Sequence, residues 1–242
     1  MTERVFHSDG YARYCEAVVV ATREAGVVLD RSVFYPTGGG QPGDRGELVL
    51  DDGSRCQVVD ALKGEGDEIV HVLAENAPLP TVGSKVVARI DWTRRHILMR
   101  YHTCLHLLCA VVDAPVSGGR MAEDKAHLDF DIEMDKLVAA EIEARLNELV
   151  ARDLPVTAGK ITDAELDANP ALVKTMSVQP PRGQGVIRTI AVAGVDLQPC
   201  GGTHLARTGE IGSVTVSRIR SEGKRNKRVT IVLEDPSPAA LA

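Results

Sequence analysis

His102 and His106 stand four residues apart in a stretch, Thr93 to Asp113, that contains neither Gly nor Pro. Four residues is just over one helical turn, so both imidazoles leave the same face and can grip one metal ion. Far along the chain, Cys200 and His204 repeat this spacing around Gly201 and Gly202. Two glycines let the backbone curl until thiolate and imidazole face one point. Three imidazoles and one thiolate form a borderline-soft donor set that suits Zn²⁺, and a shared metal accounts for all four residues.

The residue after His102 is Thr103, so the glutamate base of an H-E-x-x-H protease is missing and peptide hydrolysis by that route is excluded. Thr103 offers a hydroxyl to a polar substrate group or, alternatively, bonds back to a carbonyl of its own helix. The run Tyr35 to Gly46, with Gly38, Gly39, Gly40 and Gln41 at its centre, reads as a loop. It either brings exposed amides to a phosphate or ribose or simply joins strands. Lacking a Lys-Ser/Thr pair and the right spacing, it is neither a Walker A motif nor a dinucleotide fingerprint, and ATP binding is not expected.

Between Arg218 and Arg228 stand Arg218, Arg220, Lys224, Arg225, Lys227 and Arg228 against the single acid Glu222, a local charge of +5 in a chain of net charge −6. The overall sign argues against blanket attraction to nucleic acid, so this patch, at the tip of a predicted last hairpin, is the expected contact with a nucleic-acid backbone. A solvated face is the plainer alternative.

Six β-rich runs must form the first part of the chain: Cys15 to Ala21, Gly26 to Asp30, Gly46 to Leu50, Arg55 to Ala61, Glu68 to Leu73 and Lys85 to Ile90. Their spacing and their Gly, Pro and Asp punctuation predict a small β-barrel or sandwich over residues 1–91. From residue 92 to 242 the pattern is α+β. Leu98, Tyr101, Leu105, Leu108 and Val112 predict an amphipathic helix that carries the paired histidines. A second helix is predicted from Asp135 to about Arg152, with Val138, Ile142, Leu146 and Leu149 on one face. Strands follow at Val186 to Val195, Val214 to Arg220 and Lys227 to Leu233, and Pro236 to Ala242 read as a frayed end.

The composition, 44% hydrophobic and 26% charged, is that of a globular protein with a core of useful size. No apolar run approaches the roughly 18 residues of a membrane span, and neither terminus reads as a targeting signal, so the cytoplasm is the expected compartment. The five cysteines, odd in number and widely spaced, predict reduced thiols. The sequence leaves the oligomeric state open.

The motifs together resemble the free-standing alanyl-tRNA editing proteins of the AlaX family, which are similar to the editing domain of alanyl-tRNA synthetase. The resemblance rests on His102-Thr103-Cys104-Leu105-His106-Leu107-Leu108, on Asp196-Leu197-Gln198-Pro199-Cys200-Gly201-Gly202-Thr203-His204, on Thr208-Gly209-Glu210-Ile211-Gly212 and on the glycine-rich loop, in the family's order. It implies an N-terminal β-barrel and an α+β editing domain holding one zinc. The activity it implies is hydrolysis of the ester that joins a wrong amino acid to tRNA for alanine, seryl first and glycyl second. Thr103, the candidate contact for the seryl hydroxyl, and Gln198 are the expected catalytic residues. The length matches the medium-sized members. Cys104 and Leu105 depart from the small Ala and Thr more usual between the two histidines, a change expected to alter pocket volume.

Such a site answers a physical need, because an activating pocket built for alanine cannot strongly reject a residue that merely adds a hydroxyl. Zinc in it would either orient the ester or activate water, and the sequence does not separate the two. Two other readings use the same residues: a nucleic-acid-binding module with purely structural zinc, and an editing domain for threonyl-tRNA.

Overall fold

In a computed structural model, residues 1–176 and 185–234 are described, and the predicted frayed end lies outside them. The chain divides into two compact units, residues 1–97 and 98–242. The first opens with β1 (Glu3–Arg4) and the single-turn α1 (Val5–Ser8). It continues through β2 (Tyr14–Arg23), β3 (Gly26–Leu29), β4 (Arg31–Ser32), β5 (Gly46–Leu50), β6 (Arg55–Lys63), β7 (Ile69–Leu73) and β8 (Lys85–Ile90). Strands β2-β3-β7-β6-β5-β8 close into a barrel, and β1 pairs with β4 outside it. Each of the six predicted runs supplies one barrel strand.

Alternation fixes which side of each strand faces inward. Val86, Ala88 and Ile90 on β8, with Cys56 and Val58 on β6, are buried together with Val19, Val27, Leu29, Leu48 and Ile69. Gly26 is demanded by the closure: a Cβ there would lie 1.9 Å from the His71 carbonyl oxygen across the β3–β7 pair.

The glycine-rich run is a two-residue hairpin. Gly38 and Gln41 exchange both backbone hydrogen bonds at 3.0 Å, and Gly39 and Gly40 between them have φ of 58° and 81°. Positive φ at both central positions is the type I′ pattern, which only glycine adopts without strain. Two of the amides that sequence reading offered to a phosphate are therefore used within the turn. Gln41 is buried, and Gly39 and Gly40 form an exposed tip.

Helix α2 (Trp92–Val112) begins in the first unit and carries the paired histidines in the second. It differs from the amphipathic expectation, since every residue from Leu98 to Cys109 is buried. A polar residue is tolerated there because backbone oxygens receive its donors: Arg100 donates to the carbonyls of Ile211 (2.8 Å) and Glu234 (2.6 Å). No helix among the described residues is long and apolar enough to cross a membrane.

The second unit continues with β9 (Val116–Met121), β10 (Ala126–Asp131), α3 (Ala139–Ala151), β11 (Val156–Ile161) and α4 (Asp163–Ala168). After these come β12 (Ile187–Val192), β13 (Asp196–Pro199), β14 (Val214–Ser221) and β15 (Asn226–Leu233). Two antiparallel sheets result, of order β14-β15-β10-β9 and β11-β12-β13. Helix α3 buries Ile142, Leu146, Leu149 and Val150, whereas Val138, assigned to that face from sequence, sits at the N-cap and is exposed. The predicted strand Val186 to Val195 is shorter, because the chain turns at Gly194, with φ of 69°, before β13.

Candidate metal centre

Helix α2 and the loop after β13 bring His102, His106, Cys200 and His204 together, with one ligand atom from each within 4.8 Å of all the others. Cys200 Sγ lies 3.5 Å from His102 Nε2 and 3.2 Å from His204 Nε2. Zn–S and Zn–N bonds of about 2.3 and 2.0–2.1 Å at tetrahedral angles put such atoms roughly 3.5 Å apart, so the donor set fits zinc. The three histidines are buried and Cys200 is partly exposed, so the cluster lies just below the surface at the Cys200 edge.

A second layer of polar groups orients the donors. His106 donates from Nδ1 to Asp196 Oδ2 (3.0 Å), leaving Nε2 for the cluster, and Gln198 Nε2 donates to the same oxygen (2.8 Å). With His204 Nε2 turned to Cys200, its Nδ1 carries the proton and donates to Thr103 Oγ1 (3.2 Å), which also accepts from the Leu205 amide (3.1 Å). Arg188 Nη1 donates to the carbonyls of Cys200 (2.7 Å) and Gly202 (2.9 Å), holding both sides of the curl. The Gly202 amide donates to Cys200 Sγ (3.4 Å).

These contacts set the charges. Burial raises the Cys200 thiol, but the His102 ring and the hydrogen bonds from His102 and His106 more than reverse this and hold it well below its usual value. Burial lowers His106, yet Asp196 and Cys200 outweigh it and raise the ring to about 9, while burial and the other two rings keep His204 neutral. Cys200 is therefore held as a thiolate by the neighbouring imidazoles, and His106 gives up its extra proton to ligate a metal. Asp196→Asn removes the carboxylate behind His106 and should weaken zinc binding about 10- to 100-fold. Competition with a chromophoric chelator measures this, and an unchanged affinity would detach Asp196 from the centre.

The structure brings the four expected donors together, and the two expected catalytic residues stand behind them, Thr103 bonded to His204 and Gln198 to Asp196. Asp196 lies in the quoted motif without an assigned role, and Arg188 gives no sequence signal. Thr103 is fully buried behind His204. Cys104 lies on the side of α2 opposite His102 and His106, and burial pushes its thiol up to about 12. Its departure from the family pattern therefore falls in the core, away from the donors.

The basic hairpin exists, but its charge is smaller than the sequence count. Arg228 is paired with Asp129 (2.7 and 2.8 Å), Arg225 with Asp131 (2.6 Å) and Arg220 with Glu222 (2.5 Å). Lys227 is only 5% exposed and donates to Ser221 Oγ and to the carbonyls of Gly223 and Lys224, so it closes the hairpin instead of reaching outward. The acids on β10, distant in sequence, were invisible to a local charge count.

Sequence profiles agree with this architecture. Residues 9–94 match the family described as tRNA synthetases class II (A), and residues 187–230 match the threonyl and alanyl tRNA synthetase second additional domain. The second match contains Cys200 and His204, and barrel and site together define a protein of the class related to these synthetases. The chain is 34% identical to the alanyl-tRNA editing protein AlaX-M of Saccharolobus solfataricus over 95% of this chain and 98% of that protein. It is also 34% identical to AlaX-M of Methanosarcina acetivorans, covering 97% of this chain and all of that one. A similar stretch forms 24% of the alanine–tRNA ligase of Metallosphaera sedula, at 36% identity over 90% of this chain. The chain belongs to the AlaX family of alanyl-tRNA editing proteins.

Proposed function

We propose that this protein is a trans-acting, zinc-dependent deacylase that clears wrong amino acids from tRNA for alanine, seryl first and glycyl second, in the cytoplasm where the tRNA is charged. Water adds to the aminoacyl carbonyl, the bond to the ribose oxygen breaks, and free amino acid and tRNA leave. The observation that carries the reading is the four-donor cluster on a chain of the AlaX family. His102, His106, Cys200 and His204 would hold the zinc, which supplies Lewis-acid stabilisation of charge developing on the ester.

The chain's own groups do the rest. Asp196 holds His106 with Nε2 forward, and Gln198 keeps that carboxylate in place. Arg188 keeps the Cys200 curl closed. Deacylation of seryl-, glycyl- and alanyl-tRNA for alanine by the purified protein, with and without chelator, tests the reading. Hydrolysis of the first two alone, lost on chelation and restored by zinc, is expected. Equal hydrolysis of alanyl-tRNA would remove editing, and an unaltered rate in chelator would remove the metal from the reaction.

Thr103 is best read as a positioning residue for His204, because its hydroxyl already accepts from His204 and Leu205. Thr103→Val should therefore lower zinc affinity and hydrolysis of seryl- and glycyl-tRNA by the same factor, about 10- to 100-fold. A loss confined to seryl-tRNA would assign the remaining O–H to the substrate's hydroxyl.

A further inference from the structure

The sheet β14-β15-β10-β9 buries one face, with Leu128, Phe130, Val229 and Ile231 in the core, and turns the other to solvent. Cross-strand partners share a face, and on the solvent side the register lines up Arg218, Thr230, His127 and Arg120, one from each strand. At strand spacings of about 4.8 Å this row spans roughly 14 Å of backbone. The next row on the same face is Arg220, Arg228, Asp129 and Gly118.

The two rows differ in charge. In the second, Arg228 is held by Asp129 and Arg220 by Glu222. The first contains no acid, and its end members, Arg218 and Arg120, are exposed and make no ion pair among the described residues. Gly118 leaves a shelf beside it, where an added Cβ would meet only Asp129 Oδ2 at 3.6 Å. Neither row carries a Phe, Tyr or Trp, and the four side chains of the first, two guanidinium groups, a hydroxyl and an imidazole, can all face phosphate oxygens.

We propose that this row is the surface on which the phosphodiester backbone of a helical RNA arm lies, so that the sheet face, and not the hairpin tip, engages the substrate's polyanion. The inference rests on tRNA being the substrate and adds where it is gripped. In a chain of net charge −6, local attraction of this kind is the available electrostatic means of binding RNA. The tip is the weaker candidate, since Arg225 and Lys227 there are committed to the fold.

The test is fluorescence anisotropy of the full-length protein with an unacylated hairpin copying the acceptor arm of tRNA for alanine, over a range of salt. The double variant Arg120→Gln, Arg218→Gln should reduce the log-log salt slope by about 2, one contact per residue lost. Thr230→Glu, placing a negative charge mid-row, should weaken binding in the same direction. Zinc content and melting temperature, followed in each variant, should not move. Lys224→Gln with Arg225→Gln at the tip should change the slope less. An unchanged slope in the double variant, or a larger change in the tip variant, overturns the proposal. Because the probe carries no amino acid, binding that depends on Arg120 and Arg218 in a protein that hydrolyses nothing would sink the editing reading alone. A working deacylase whose RNA affinity ignores both arginines would sink this surface alone.

Discussion

Cys200→Ala is expected to strip the metal and to lower deacylation of seryl-tRNA by about 10³-fold, since Lewis-acid stabilisation is worth several kcal/mol and each 1.36 kcal/mol is tenfold in rate. The thiolate is the only anionic donor of the four, and it lies 3.5 and 3.2 Å from two of the imidazole nitrogens. Without it, three buried rings face one another with no negative charge among them except through Asp196. The curl that presents it, held by Arg188 at the carbonyls of residue 200 and Gly202, would remain but would present nothing. Metal analysis, initial rates and the far-ultraviolet melt should be followed on the same preparation. Lost zinc and lost rate on a folded domain supports a catalytic centre. Collapse of the fold with the metal favours structural zinc, a reading that the closed set of four protein donors makes specific. Full activity without zinc would end the metal proposal.

What could be read from sequence depended on how local its cause was. The barrel strands were legible because apolar alternation and Gly or Pro punctuation lie within each segment, as in Val86, Ala88 and Ile90. The pair His102 and His106 was legible because helix geometry fixes its face, and Cys200 with His204 because the two glycines between them let a loop curl. Strands β9 and β10 were not, because Gly118, Gly119, Asp129 and Asp131 all argue against a strand locally. The ion pair from Asp129 to Arg228, 99 residues away, reverses the argument. That pair also explains the overcount of the basic hairpin. Helix α2 read as amphipathic from the recurrence of Leu98, Tyr101, Leu105, Leu108 and Val112, whereas the polar Arg95 and Arg100 on the same helix have their donors satisfied inside. Asp196 was left without a role for the same reason: it gains one only when β13 lies beside α2.

Asp44→Ala is expected to destabilise the barrel unit by about 3 to 5 kcal/mol, the cost of leaving a buried charge without its partner. Arg95 is 0% exposed and Asp44 1%. The guanidinium donates to both carboxylate oxygens, to the Val33 carbonyl (2.6 Å) and to that of Gly10 (3.2 Å). Asp44 accepts in addition from the Tyr35 amide (2.6 Å) and donates its own amide to the Tyr35 carbonyl (2.9 Å). The pair therefore closes the base of the glycine-rich hairpin as well as satisfying Arg95. Asp44→Asn keeps the shape and some of the hydrogen bonds while losing the charge, so it should cost less than Asp44→Ala. Adding Arg95→Met to Asp44→Ala should return part of the loss, since removing both charges removes the unpaired one. Trp92, the chain's single tryptophan, sits in this unit under the Arg13 guanidinium at 4.9 Å and reports its unfolding in urea by fluorescence. A shift below about 1 kcal/mol for Asp44→Ala would mean that water replaces the carboxylate and that the hairpin is held by its own turn. A full-size loss relieved in the double variant would show that the barrel tolerates Arg95 only because Asp44 is there. The hairpin's presentation of Gly39 and Gly40 would then depend on a salt link buried beneath it.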